Sequence, residues 1–217
     1  MKIKFYYLRA ILFVISALSS ALTYATGSGL YLGVMAGPAT NQSQDQYVQL
    51  ANSNSFTLAS PNSNQIGGRM YVGYKFNSYG GIESGLTYFS TINYDTINGA
   101  ATCTSPRVNI SDVDLVGVGT LPIGSFGVFV KAGVAGMYES TSGAITGSNV
   151  NDCGNTSNII RVRGTASVGA SYDISQTWVA DVSWTRLMTK GIIQNMDLYA
   201  LGISYHFVDQ YCGQFLC

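Results

Sequence analysis

Beyond residue 27 the chain alternates, and the alternation sets what it can fold into. In Arg69–Phe76, Met70, Val72, Tyr74 and Phe76 occupy one parity, while Arg69, Tyr71, Gly73 and Lys75 occupy the other. In Ile82–Phe89, Ile82, Ser84, Leu86 and Tyr88 oppose Glu83, Gly85, Thr87 and Phe89. Near the end, Tyr199, Leu201, Ile203, Tyr205 and Phe207 oppose Ala200, Gly202, Ser204 and His206. Successive side chains of a β-strand point to opposite faces, so a period of two marks strands with two unlike faces. Charged residues make up only 10% of the 217, where an ordinary soluble protein carries roughly 25%, and the mean hydropathy is +0.18. So few charges would leave a water-soluble domain poorly covered. Membrane helices would explain the deficit, but each needs about 20 consecutive apolar residues, and no such run follows residue 25. The composition fits a chain that meets lipid through strands.

The first 25 residues read as an export signal. Lys2, Lys4 and Arg9 form a basic start, Ala10 to Leu22 an apolar stretch, and Thr23-Tyr24-Ala25 the small residues that a signal peptidase reads. Cleavage after Ala25 is expected; an uncleaved anchor is the alternative, against which the apolar run is short. No cysteine lies near this point, which argues against a lipoprotein. The mature chain would keep eight Lys+Arg against eleven Asp+Glu. That balance is too mild to suggest nucleic acid as a partner.

Eight strands are expected, near residues 28–37, 66–76, 80–90, 111–121, 126–138, 158–172, 178–187 and 196–207. Their lengths suit the about 9–11 residues that a tilted strand needs to cross a bilayer. The connections alternate: 77–79, 122–125 and 173–177 are tight, whereas 38–65, 91–110, 139–157 and 188–195 are long and rich in Asn, Ser, Thr and Gly. Short turns at one end and long loops at the other describe an up-and-down barrel inserted from one side. The fold expected is therefore all-β: an eight-stranded antiparallel transmembrane β-barrel over 26–207, after a cleavable signal peptide (1–25) and before a short periplasmic tail (208–217). Asn41 to Gln65 reads as a mobile surface loop.

Alternation alone does not say which face is inside; a lipocalin would put its apolar face inward. The apolar face here carries aromatics toward the strand ends. Phe76, Phe126, Tyr172, Trp178, Tyr205 and Phe207 lie toward the short turns, and Tyr88, Tyr138, Trp184 and Tyr199 toward the long loops. Two such belts are what the two lipid interfaces select. The other face is crowded with Gly, Ala, Ser and Thr, which fit a narrow barrel. Its charges are few and of both signs: Arg69, Lys75, Glu83, Asp114, Lys131, Arg161, Arg163 and Asp181. These are expected inside as a charge network. With Tyr31, Met35, Tyr71, Phe89 and Phe129 they would obstruct the lumen.

Four segments carry a resemblance. GGRMYVGYKFNSYGGIESGLTYF (67–89), LPIGSFGVFVKAGVAGMY (121–138), GASYDISQTWVADVSWTR (169–186) and DLYALGISYHF (197–207) resemble, in order, the second to fourth hairpins and closing strand of the outer membrane protein A transmembrane domain. The likeness covers about 180 residues of a small, porin-family-like outer-membrane barrel. It implies an interior of paired charges, and this carries over unevenly. Glu83 matches an inward glutamate of the family's E-x-G-x-x-[YF] motif, and Lys131 an inward basic residue. Asp181 stands where the family has arginine and Ser171 where it has glutamate, while Arg161 and Arg163 are brought in by another strand. Family members often append a peptidoglycan-binding domain, for which the ten residues after Phe207 leave no room. Tyr205 and Phe207 resemble the terminal aromatic signal read by the barrel assembly machinery.

Few features point to other chemistry. His206, the sole histidine, reads as an interior structural residue; lipid-modifying enzymes of outer membranes need His, Ser and an acid together near the outer leaflet, whereas His206 falls at the opposite end. No phosphate loop, metal cluster or cofactor motif appears, so no cofactor is expected. Cys103 and Cys153 fall in two outer loops and Cys212 and Cys217 in the tail. In an oxidising compartment only the Cys103–Cys153 and Cys212–Cys217 pairing avoids crossing the membrane; free thiols remain open for the tail. The leading expectation is a non-enzymatic, monomeric surface protein in contact with outer-membrane lipids and lipopolysaccharide, with loops that meet host surface molecules. A narrow pore for water or small solutes is the alternative, and a lipid-modifying enzyme a distant third.

Overall fold

The computed structural model describes residues 28–43, 45–50, 55–96, 107–142, 156–189 and 194–207. Residues 1–25, the tail 208–217 and all four cysteines lie outside them. Ten strands follow in order: β1 (Gly29–Asn41), β2 (Gln46–Gln49), β3 (Phe56–Pro61), β4 (Asn64–Lys75), β5 (Gly80–Thr96), β6 (Arg107–Ile123), β7 (Phe126–Ser142), β8 (Thr156–Asp173), β9 (Trp178–Met188) and β10 (Met196–His206). Eight of them, β1 and β4 to β10, form the barrel, each antiparallel to the next. The β1–β10 ladder, from Tyr31↔His206 to Asn41↔Met196, closes it. Closure pairs every edge, as a sheet in lipid requires.

The stagger follows from the register. Paired residues lead from Tyr88 to Gly68, Ala36, Leu201, Val182, Ala170, Val128 and Leu121. Gly80 faces Gly119, which sets Leu121 level with position 78, ten residues from the start. Eight strands with this shear tilt by roughly 40°, and the lumen is just wide enough for side chains to fill.

Inward and outward parities follow the alternation. Met70, Val72 and Tyr74 are exposed on β4 while Arg69 and Tyr71 are buried. The aromatics of both belts face outward, with Trp184 half-buried. The short-turn belt is a run of ring contacts, Phe126 on Tyr172, Trp178 on Tyr205 and Tyr205 on Phe207, at 4.8–5.1 Å between centroids. Between β6 and β7 only Gly124 and Ser125 intervene, and Gly124 takes φ 66°, a left-handed conformation that a side chain disfavours.

The loop expected over Asn41–Gln65 is instead partly sheet. β1 runs to Asn41, β4 begins at Asn64, and β2 and β3 form a hairpin whose β3 pairs with the outer end of β5 (Ala59↔Thr96 to Pro61↔Tyr94). The reason is a small apolar core above the barrel, where Val48, Ala59, Ile92, Tyr94 and Val108 are almost wholly buried. A bulge in β5 makes that core. Phe89 faces Ile110 but Ile92 faces Val108, so one extra residue on β5 flips its parity and turns Ile92 and Tyr94 inward beside Phe89. Thr91 donates a 2.6 Å hydrogen bond to Asn109 Oδ1 at the bulge.

Strand heights are unequal. β5, β6, β7 and β8 have 17, 17, 17 and 18 residues, whereas β1, β4, β9 and β10 have 13, 12, 11 and 11. One side of the barrel therefore continues outward as a sheet, and the long connections are shorter than the alternation alone implied.

Candidate functional site

The densest polar chemistry lies inside the barrel, where four consecutive strands each contribute one charge. Arg69 of β4 sends Nε and Nη2 to the two oxygens of Asp114 on β6 (3.0 and 2.7 Å), and Nη1 to Glu83 of β5 (2.7 Å). Lys131 of β7 donates to both oxygens of Glu83 at 2.8 Å. All four side chains are buried, Glu83 at 1% exposure. The Tyr31 hydroxyl adds a 2.9 Å bond to Glu83 Oε2. Lys131 Nζ also lies 4.9 and 5.0 Å from the centroids of Tyr71 and Phe129. Two cations and two anions balance, which a buried ion cluster needs, since an uncompensated charge there is costly.

The other expected members take different places. Asp181 of β9 accepts a 2.7 Å bond from the Tyr71 hydroxyl, and its Oδ1 has no hydrogen-bond partner among the described residues. Lys75 is half-buried toward the short-turn mouth. Arg161 and Arg163 stand farther out on β8, opposite Met137 and Ala135. Beneath the cluster is a polar space of about 50 Å³, lined by Tyr71, Lys75, Asp181, Ser204 and His206 among others, room for a few waters. His206 stacks on Tyr31 at 5.0 Å and shares a 3.3 Å contact with Ser204 Oγ, both inside the barrel. No group of three or more His, Cys, Asp or Glu able to hold a metal occurs among the described residues.

Above the cluster the lumen gains apolar side chains. Phe89, Ile110, Met137, Leu187, Met196 and Leu198 are buried there, and the β2–β3 core lies over them. Tyr31, Met35, Tyr71, Phe89 and Phe129, expected to obstruct the interior, are all buried in it.

Two further carboxylates share the inward parity, one inside the strand expected at 111–121 and one just past the end of that expected at 126–138. Asp112 shares the parity of Asp114, and Glu139 that of Lys131, and both are buried. A different signal, a carboxylate on the lipid-facing parity, marks Asp197. Arg186 binds it through Nε and Nη2 at 2.8 Å each, the Trp184 indole N–H donates to it at 3.1 Å, and the Arg186 guanidinium lies 5.1 Å from the Trp184 ring centroid. At the far end, Phe207 donates its N–H to the Leu30 carbonyl at 2.9 Å, and the Tyr205 and Phe207 rings face outward.

This architecture has known counterparts. Neisserial surface protein A is similar in structure with a TM-score of 0.54 at 13% identity, covering 83% of this chain and 99% of that one. Outer membrane protein OprG of Pseudomonas aeruginosa is similar at 0.53 and 13%, covering 84% and 98%. At these identities the likeness shows the fold. An uncharacterized protein of Coxiella burnetii is 30% identical over 173 residues, 67% of this chain and 69% of that protein. Residues 10–207 match the outer membrane protein beta-barrel domain family along nearly the whole chain, and the protein is therefore an outer-membrane β-barrel of that family.

Proposed function

We propose that this barrel is a non-conducting, non-enzymatic anchor that holds an interaction surface above the outer membrane. The observation that carries the reading is the unequal height of the strands. β5 to β8 rise past the short β9, β10 and β1, and β3 extends the same sheet on its other side. Among the described residues the β8–β9 ladder runs from Gly164 to Asp173, and β8 continues outward past it against β7, to Thr156. Ile160 and Val162 on that segment are 76% and 72% exposed, at the top of the range for large apolar side chains here. A raised sheet with exposed apolar side chains is a surface on which another protein can dock. Export through residues 1–25, folding by the assembly machinery through Tyr205 and Phe207, and host surface molecules as partners belong to this reading.

The test is adhesion of cells displaying the protein to cultured host cells. Ile160→Asp with Val162→Asp, or removal of 46–61, should abolish adhesion gained on expression while the barrel stays folded. Unchanged adhesion would reject the raised sheet as the surface. A pore is the second reading, favoured by the polar space beneath the ion cluster; planar-bilayer recording of the folded protein should show no steady conductance, and discrete channel steps would favour the pore.

A further inference from the structure

The outward face carries a groove of about 430 Å³ between β8, β9, β10 and β1, walled by Val168, Val182, Trp184, Tyr199, Leu201 and Pro38. Small residues make its floor: Gly169, Ala170, Ser183 and Ala200. It lies where the wall is thinned. The β1–β10 register runs from Tyr31↔His206 to Ala36↔Leu201 and resumes at Ala39↔Leu198, passing over Gly37 and Pro38. Proline has no N–H to give a ladder and seldom occupies the middle of a sheet; a closed barrel has no edge on which to put it. Trp184 and Tyr199 belong to the belt on the long-loop side, so the groove runs in the outer half of the membrane. Its contents there must be hydrocarbon.

Two residues along β9 from Trp184, one of the groove's walls, stands Arg186. Asp197 takes two of the guanidinium's N–H groups and Trp184 lies against it. An arginine has five such donors in a fixed fork, so three remain, and a third of the side chain is exposed. A fork held by a carboxylate and an aromatic face is preoriented for a planar or tetrahedral anion. We infer that the groove and Arg186 form one binding site for a lipid A molecule of the outer leaflet, an acyl chain lying in the groove and a phosphate on the guanidinium. The site rests on the outer-membrane location and not on the raised sheet, so it stands or falls apart from adhesion.

Native mass spectrometry of the full chain released from detergent micelles, with bis-phosphorylated hexa-acyl lipid A added, tests it. The wild-type protein should retain lipid A in preference to phosphatidylglycerol and to lipid A stripped of both phosphates. Ala170→Phe, which fills the floor, and Arg186→Gln should each lower retention about tenfold, the loss expected for one charge-assisted contact or its equivalent in apolar burial. The double variant Arg186→Gln/Asp197→Asn leaves no lone charge and should lose retention equally, with heat-modifiable migration intact. Equal retention of phosphatidylglycerol, or full retention by the double variant, would overturn the site and make the groove ordinary lipid-facing wall.

Discussion

Tyr31 of β1 and Gly73 of β4 stand opposite one another, and a Cβ on Gly73 would lie 2.2 Å from the Tyr31 ring. The relation is reciprocated two residues away, where a Cβ on Gly33 would lie 2.3 Å from the ring of Tyr71. The two phenols thus cross the lumen by lying over each other's neighbouring glycines, and their hydroxyls reach Glu83 and Asp181. Gly73→Val should push Tyr31 off Glu83 and lower stability by about 1–3 kcal/mol, as overpacking does. The urea midpoint in lipid vesicles measures it; a wild-type midpoint would mean that the ring is free to move aside.

Within the ion cluster the Glu83 carboxylate matters more than Lys131. Lys131→Met leaves Glu83 bound to Arg69 and Tyr31. Glu83→Gln strands Lys131, whose ion-pair partner among the described residues is Glu83, at a cost of about 3–5 kcal/mol. The expected order of urea midpoints is wild type, Lys131→Met, Glu83→Gln. The reverse order would show that Lys131 is held by something other than Glu83.

A closed ladder resists SDS until heated, because every strand is paired to the next. The unboiled protein should migrate faster than the boiled one, and Ser90 deletion, which removes the β5 bulge, should preserve that shift. Loss of the shift in the wild-type protein, with a helical circular dichroism spectrum, would contradict the fold.

The β2–β3 hairpin should be separable from the barrel. Val48 is wholly buried against the core above the lumen, so Val48→Asp places an unpaired charge there. Limited proteolysis should then cut between residues 42 and 63 while heat-modifiability persists. A variant that resists protease as well as the wild type would mean that Val48 does not hold the hairpin down.

Cys103 and Cys153 should be joined. Arg107 of β6 and Thr156 of β8 both flank Ser142 of β7, so these strands emerge about 10 Å apart, and only a few residues separate each from its cysteine. A non-reduced digest should yield the two peptides linked. A link from Cys103 to Cys212 or Cys217 would put loop and tail on one side of the membrane and undo the strand order.

Sequence by itself determined the number of barrel strands, their direction, which side chains meet lipid and where the two aromatic belts lie. Each of these is local: a side chain on an alternating strand reports its own face, as Met70 and Arg69 do, whatever the rest of the chain does. Tertiary structure decided which interior charges meet. Asp181 shares the inward parity with Lys131 yet binds a phenol, because the ten-residue stagger around the barrel sets the height at which each strand delivers its side chain. It also decided the fate of Asn41–Gln65, whose few apolar residues form strands only because the bulge at Ser90 and Thr91 turns Ile92 and Tyr94 to face them. Arg186 and Asp197 sit on different strands and on the lipid face, so only the register of β9 against β10, Asp197 opposite Arg186, makes them a pair.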